Sequence, residues 1–169
     1  EFTQLDLEMS FVNAEDIIGV IDGLVVRLAK EVLGLDVPLP LPRMSYDEAM
    51  ERFGHDAPDL RFGMEIVDIT DLAKESEFKV FRGVADSDGR VRGINAKGAA
   101  DRYSRKGIDE LTAYIVESFG AKGLAFIKVE GGEWKSPIVK FFNDAEKAAL
   151  KTKLGIEEGD LILFAADQW

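Results

Sequence analysis

Six basic side chains, Arg90, Arg92, Lys97, Arg102, Arg105 and Lys106, fall within seventeen positions and meet only Asp101 in that window. The window carries +5, and since the whole chain carries −11 the remainder carries −16. A local cluster of this kind can contact phosphates even on an acidic protein, or it can be the solvated rim of a hairpin and loop. The carboxylates Asp6, Glu8, Asp56, Asp59 and Glu65 could pair as acid and base or hold magnesium. In a chain with 32 acids, however, most carboxylates are simply solvated. His55, the single histidine, stands beside Asp56 and reads as a surface residue before a general base. The glycines at 83, 89, 93 and 98 do not form a phosphate loop, because Gly98 is followed by Ala-Ala-Asp and not by Lys and Ser or Thr; turns account for them better.

Composition narrows the classes. The chain has 169 residues, 46% hydrophobic and 31% charged, enough for one or two cores and unlike a disordered segment. No apolar run approaches the roughly 18 residues of a membrane span, and the acidic, polar start is unlike a secretory signal. The absence of cysteine excludes disulfides, thiolate zinc sites and cysteine nucleophiles, and fits a reducing cytosol.

The elements that must position these residues follow from periodicity. Thr3 to Val12 alternates, with Leu5, Leu7, Met9 and Phe11 on one face and Gln4, Asp6, Glu8 and Ser10 on the other, the period of a half-buried strand. Such a strand needs sheet partners, and a chain that begins with Glu1 is expected to be a piece of a longer protein. Asn13 caps a long amphipathic helix bearing Ile17, Ile21, Leu24 and Leu28, with Ile18, Val25 and Val32 beside them, which Gly34 ends. Pro38, Pro40 and Pro42 force an extended strap. Ser45 and Glu48 predict a capping box on a short helix closed by Gly54. Met64 to Asp68 predicts a short strand and Ile69 to Glu75 one or two helical turns.

From residue 77 the texture changes. Phe78 to Val84 and Arg90 to Ala96 predict a hairpin, and Ser104 caps a helix carrying Ile108, Leu111, Ile115 and Phe119. Leu124 to Val129 and Trp134 to Phe141 predict a second hairpin with Pro137 at an edge. Asn143 and Glu146 box a helix that Gly155 ends, and the apolar run Leu161 to Ala166 predicts a buried strand. The order β-β-α-β-β-α-β predicts an α+β fold, a two-layer antiparallel sheet with helices on one face. The boundary with the first part falls near Thr70, giving segments 1–70 and 71–169.

Two stretches, EFTQLDLEMSF at the start and SYDEAMERFGHDAPDLRFGMEI at 45–66, closely resemble bacterial-type aspartyl-tRNA synthetase, a class II aminoacyl-tRNA synthetase. Residues 77–166, with AKGLAFIKV at 121–129 and SPIVKFF at 136–142, resemble its GAD insertion domain, shared with subunits of tRNA-dependent amidotransferases. The resemblance covers essentially the whole chain. It implies that residues 1–70 are a strand and long helix from a partial class II catalytic core, and that 71–169 are the GAD/DCoH-like insertion module. Phe2 and Asp6 match the motif 2 signature of a Phe and an acid. The resemblance implies that Phe2 stacks on the adenine of ATP, as a flat aromatic at a strand end can, and that Asp6 supports the site.

The motif 2 arginine that the family uses on the α-phosphate, its second arginine in motif 3, the residues that hold aspartate, the anticodon-binding domain and the dimer interface are expected outside this span. The implied parent is an aspartate–tRNA ligase that uses ATP with magnesium, L-aspartate and tRNA, homodimeric and cytoplasmic, with neither membrane nor DNA as partner. This stretch is expected to hold no catalytic residue, no metal and no cofactor of its own, and to be inactive alone. The alternatives are a non-catalytic module whose basic window touches tRNA, and an amidotransferase subunit; the latter would explain the GAD-like part but not EFTQLDLE.

Overall fold

The computed structural model describes residues 1–168, which divide into two compact units, Glu1–Met44 and the part from Ser45 onward. In the first unit, helix α1 (Ala14–Leu33) is fixed by its ends. Asn13 Oδ1 accepts the N–H groups of Glu15 and Asp16, Asp16 accepts the Asn13 N–H in return, and Gly34 ends the helix in the left-handed conformation. Its apolar stripe stays open: Ile21 is 38% and Val32 73% exposed, and no residue of α1 is buried.

The segment 1–12 is not a strand, contrary to its alternation. A strand exists through its ladder of hydrogen bonds, and none of the described residues pairs with this segment. Leu5, Leu7, Met9 and Phe11 are all exposed. The strand expected over this segment is therefore absent among the described residues.

The second unit begins with α2 (Tyr46–Phe53), capped by Ser45 Oγ, which accepts the Glu48 N–H at 3.1 Å. Only this half of the expected capping box forms, because the Glu48 carboxylate turns to Arg52 at 2.5 Å. Arg52 also grips Glu65 through two parallel bonds of 2.8 and 2.7 Å, and its carbonyl accepts the Ile66 N–H. That clamp delivers the chain into a five-stranded antiparallel sheet. Its strands are β1 (Val67–Asp68), β2 (Arg90–Ala96), β3 (Ala125–Glu130), β4 (Glu133–Lys135) and β5 (Leu161–Asp167), in the order β1-β2-β5-β3-β4.

Register sorts the side chains. Val91, Gly93, Asn95, Ile162, Phe164, Ile127 and Trp134 share one face, and this face carries the main core with helices α3 (Thr70–Glu75), α4 (Lys79–Asp86) and α6 (Asp144–Leu154). The antiparallel α+β reading stands, with those three helices on one face. Helix α5 (Arg105–Phe119) lies against the other face, where Ile108, Leu161 and Ala99 form a second, smaller core with Phe126 and Leu163. β5 is apolar throughout because its alternate residues feed both cores.

Two expected strands are replaced. Phe78 to Val84 is helical, not half of a hairpin: Phe81 and Ala85 are buried and Val80 is 57% exposed, a helical period that the alternation of Phe78 and Val80 mimics. The return strand from Trp134 stops at Lys135, since Pro137 has no N–H for a ladder, and 139–141 turn as a 3-10 helix. β4 is nonetheless the outer strand, as Pro137 required.

Candidate functional site

The basic window does not gather into one patch. Arg90 and Lys97 stand at opposite ends of β2, roughly 20 Å apart at the ordinary strand rise. Arg90 lies 3.6 Å from Asp68, and Arg92, whose side chain is 11% exposed, binds Glu51 at 2.7 Å. Both occupy the sheet face opposite the main core. These two arginines tie β2 to β1 and α2, a structural duty that a charge count does not reveal.

Lys97 belongs to a second arrangement around Asp160, which is 2% exposed. The Asp160 carboxylate accepts Asn95 Nδ2 at 2.8 Å, the N–H groups of Gly98 and Glu157 at 3.0 and 2.9 Å, and the Lys97 ammonium at 3.1 Å. Burial alone would push this carboxyl up, but the donors outweigh burial and hold it below the ordinary carboxylate range. Asn95 and Asp160 escape a sequence reading because 65 residues separate them; the local signal was only the Glu-Glu-Gly-Asp turn at 157–160.

The remaining three lie together at the start of α5. Ser104 Oγ accepts the Gly107 N–H at 3.1 Å, and no acid stands in the first turn. Arg105 lies 3.2 Å from Asp109, with its guanidinium 5.6 Å from the Phe126 ring centroid. Lys106 lies 3.5 Å from Glu110, and Arg102 has no carboxylate partner among the described residues. The partners of Arg105 and Lys106 are well exposed, so these pairs hold weakly.

In the first unit, the Phe2 ring is 88% exposed, and Asp6 accepts Gln4 Nε2 at 2.8 Å. A free ring can stack on a base, but a triphosphate also needs cations. The three basic residues of this unit form exposed pairs of the same weak kind, Arg27 with Glu31, Lys30 with Asp36 and Arg43 with Glu15. The acids offered as a pair or metal site are not brought together: Glu65 binds Arg52, Asp59 binds Arg61, and Asp56 lies 3.5 Å from His55. No group of three or more His, Asp or Glu among the described residues could hold a metal ion, and no helix among them is long and apolar enough to cross a membrane.

Several clefts open on the second unit, two of them of about 400 Å³ or more. One, of about 400 Å³, lies between α5 and the sheet and is walled by Ile66, Ile94, Leu111, Ile115 and Leu163. The other, of about 440 Å³, lies between β4 and α6.

The fold defines an α+β module built on a single antiparallel sheet. The family model of the GAD domain matches residues 81–169, more than half of the chain, and the chain belongs to that family. It is also 61% identical over its whole length to the aspartate–tRNA(Asp/Asn) ligase of Rhodopirellula baltica, where it covers 29% of that protein. It is 51% identical over 99% of its length to the aspartate–tRNA ligase of Geobacillus kaustophilus, covering 28%. To the aspartate–tRNA(Asp/Asn) ligase of Desulfotalea psychrophila it is 52% identical over 99%, covering 27%. The chain thus spans under a third of the relatives it matches.

Proposed function

We propose that this chain is a stretch of an aspartate–tRNA ligase, and that the whole protein makes aspartyl-tRNA from L-aspartate, ATP and tRNA in the cytoplasm as a homodimer. The observation that carries this reading is identity of 51 to 61% along essentially the entire chain, residues 1–80 included, to proteins bearing that name. An amidotransferase subunit would account for the GAD domain alone. In this reading the boundary near Thr70 separates a slice of the catalytic core from the inserted module. Phe2 contributes an adenine-stacking ring and Asp6 supports it, while the groups that hold the phosphates with magnesium come from the rest of the protein. Expression of the complete protein should give ATP-dependent charging of tRNA with aspartate, and failure to charge any tRNA would sink the reading. The chain by itself should show no pyrophosphate exchange above background, since positioning and charge stabilisation carry this chemistry.

A narrower tRNA contact is favoured by the state of Arg102, which lacks a carboxylate partner, and by the weak pairs on Arg105 and Lys106. In this reading those three touch tRNA phosphates, and Arg90, Arg92 and Lys97 act through the fold. Gel shifts with transcript tRNA should weaken steeply with salt. Arg102→Glu with Arg105→Glu should abolish the low-salt shift; an unchanged shift would end this assignment.

A further inference from the structure

The cleft between edge strand β4 and helix α6 combines two kinds of wall. Trp134, half-buried, forms one side with the Gly131–Gly132 turn, while Val139 and Ala148 give an apolar floor. Lys147 and Lys151 line the other side, one helical turn apart, where like charges repel. Neither is firmly neutralised. Lys147 reaches only a fully exposed Asp144, at 4.0 Å, and Lys151 has no ion-pair partner among the described residues. Lys153, by contrast, is turned away to Asp71 at 2.7 Å. Of the nearby acids, Glu158 accepts the N–H groups of Gly131 and Gly132 at 2.6 and 3.0 Å, while Glu133 also lines the cleft, at a strand position that alternates to the opposite sheet face from Trp134.

An aromatic side chain and two weakly paired ammonium groups around an apolar floor match a flat ring that carries an anion. The volume falls within the roughly 300 to 1,000 Å³ of small-molecule sites. We propose that this cleft binds a nucleotide, with its base against the Trp134 indole and its phosphate between Lys147 and Lys151. Base stacking on aromatics tolerates any base, and the anion relieves the repulsion between the two lysines. Either a free nucleotide or an unpaired nucleotide of an RNA strand presents this chemistry. The site lies on the sheet face opposite Arg92 and Phe126 and does not rest on the reading of the basic window.

The test uses the full chain carrying Trp169→Phe, which leaves Trp134 as the sole indole. AMP and a single-stranded RNA hexamer are titrated separately at low salt, with Trp134 emission as the readout. A saturable change is expected. Lys147→Ala with Lys151→Ala should weaken it about tenfold or more and flatten its salt dependence, whereas Lys147→Arg with Lys151→Arg should retain it. Arg102→Glu should leave the response to AMP unchanged. Response to AMP identifies a free nucleotide, and response to the hexamer alone identifies a strand. Absence of a saturable signal with both probes, or a signal indifferent to the double alanine variant, overturns the proposal.

Discussion

Asp160→Asn is expected to destabilise the protein by about 3 kcal/mol, because the amide would turn an NH2 toward a site built from donors and leave a buried group unmatched. Chemical denaturation of both proteins checks this. The same carboxylate sets a pH dependence. Its folded-state pKa lies below the unfolded value, so its contribution is complete at neutral pH and is lost as pH falls below the ordinary carboxylate range and through the lowered value. The Asn variant should show a smaller loss of stability on acidification than the parent. At this scale the sequence was legible where partners are neighbours: Asn13, Ser104 and Asn143 cap their helices, and Gly34, Gly120 and Gly155 end them. It was illegible for the basic window. Asp68, Glu51 and Asp160, which occupy three of its members, come from distant positions and enter no local count.

Helix α4 shows how a local pattern misleads at the scale of elements. Phe78, Val80 and Val84 keep a strand period, but the buried positions are Phe81 and Ala85, and Phe81 packs against Phe164 with ring centroids 5.6 Å apart. Gly89 then closes α4 onto β2. A Cβ there would stand 2.8 Å from the Asp167 carbonyl and 2.9 Å from that of Val84, both backbone atoms that cannot swing aside. Gly89→Ala should therefore cost about 2 kcal/mol, measured as a lower denaturation midpoint at unchanged slope. Gly83, with nothing near a Cβ, should accept alanine and gain slightly from helix propensity. The strand expected from Trp134 to Phe141 is cut short for a different reason. A proline three residues into the strand was correctly placed at an edge, but it also ended the ladder.

Across the whole molecule, burial is uneven. The buried side chains begin at Ala49, and none lies in residues 1–44. A 20-residue helix without tertiary burial is marginal in water, so the amides of α1 should exchange with solvent orders of magnitude faster than those of β2 and β5. Hydrogen exchange followed by mass spectrometry reads this directly, and equal protection would contradict it. The alternation of Leu5 to Phe11 was real, but alternation states a need for partners and does not supply them. The family likeness of residues 1–66 was readable from motifs because short fixed spacings carry it. The second core under α5 was not readable, since it depends on which face each residue of β5 presents.

β5 has a temporal consequence. It is the last strand of the sheet in sequence, yet it sits third in space, and it alone joins the β1-β2 pair to the β3-β4 pair. Until residues 161–167 are in place those two pairs lack the strand between them, and Ile127 lacks its neighbour Ile162. The two half-sheets thus become one sheet only through β5.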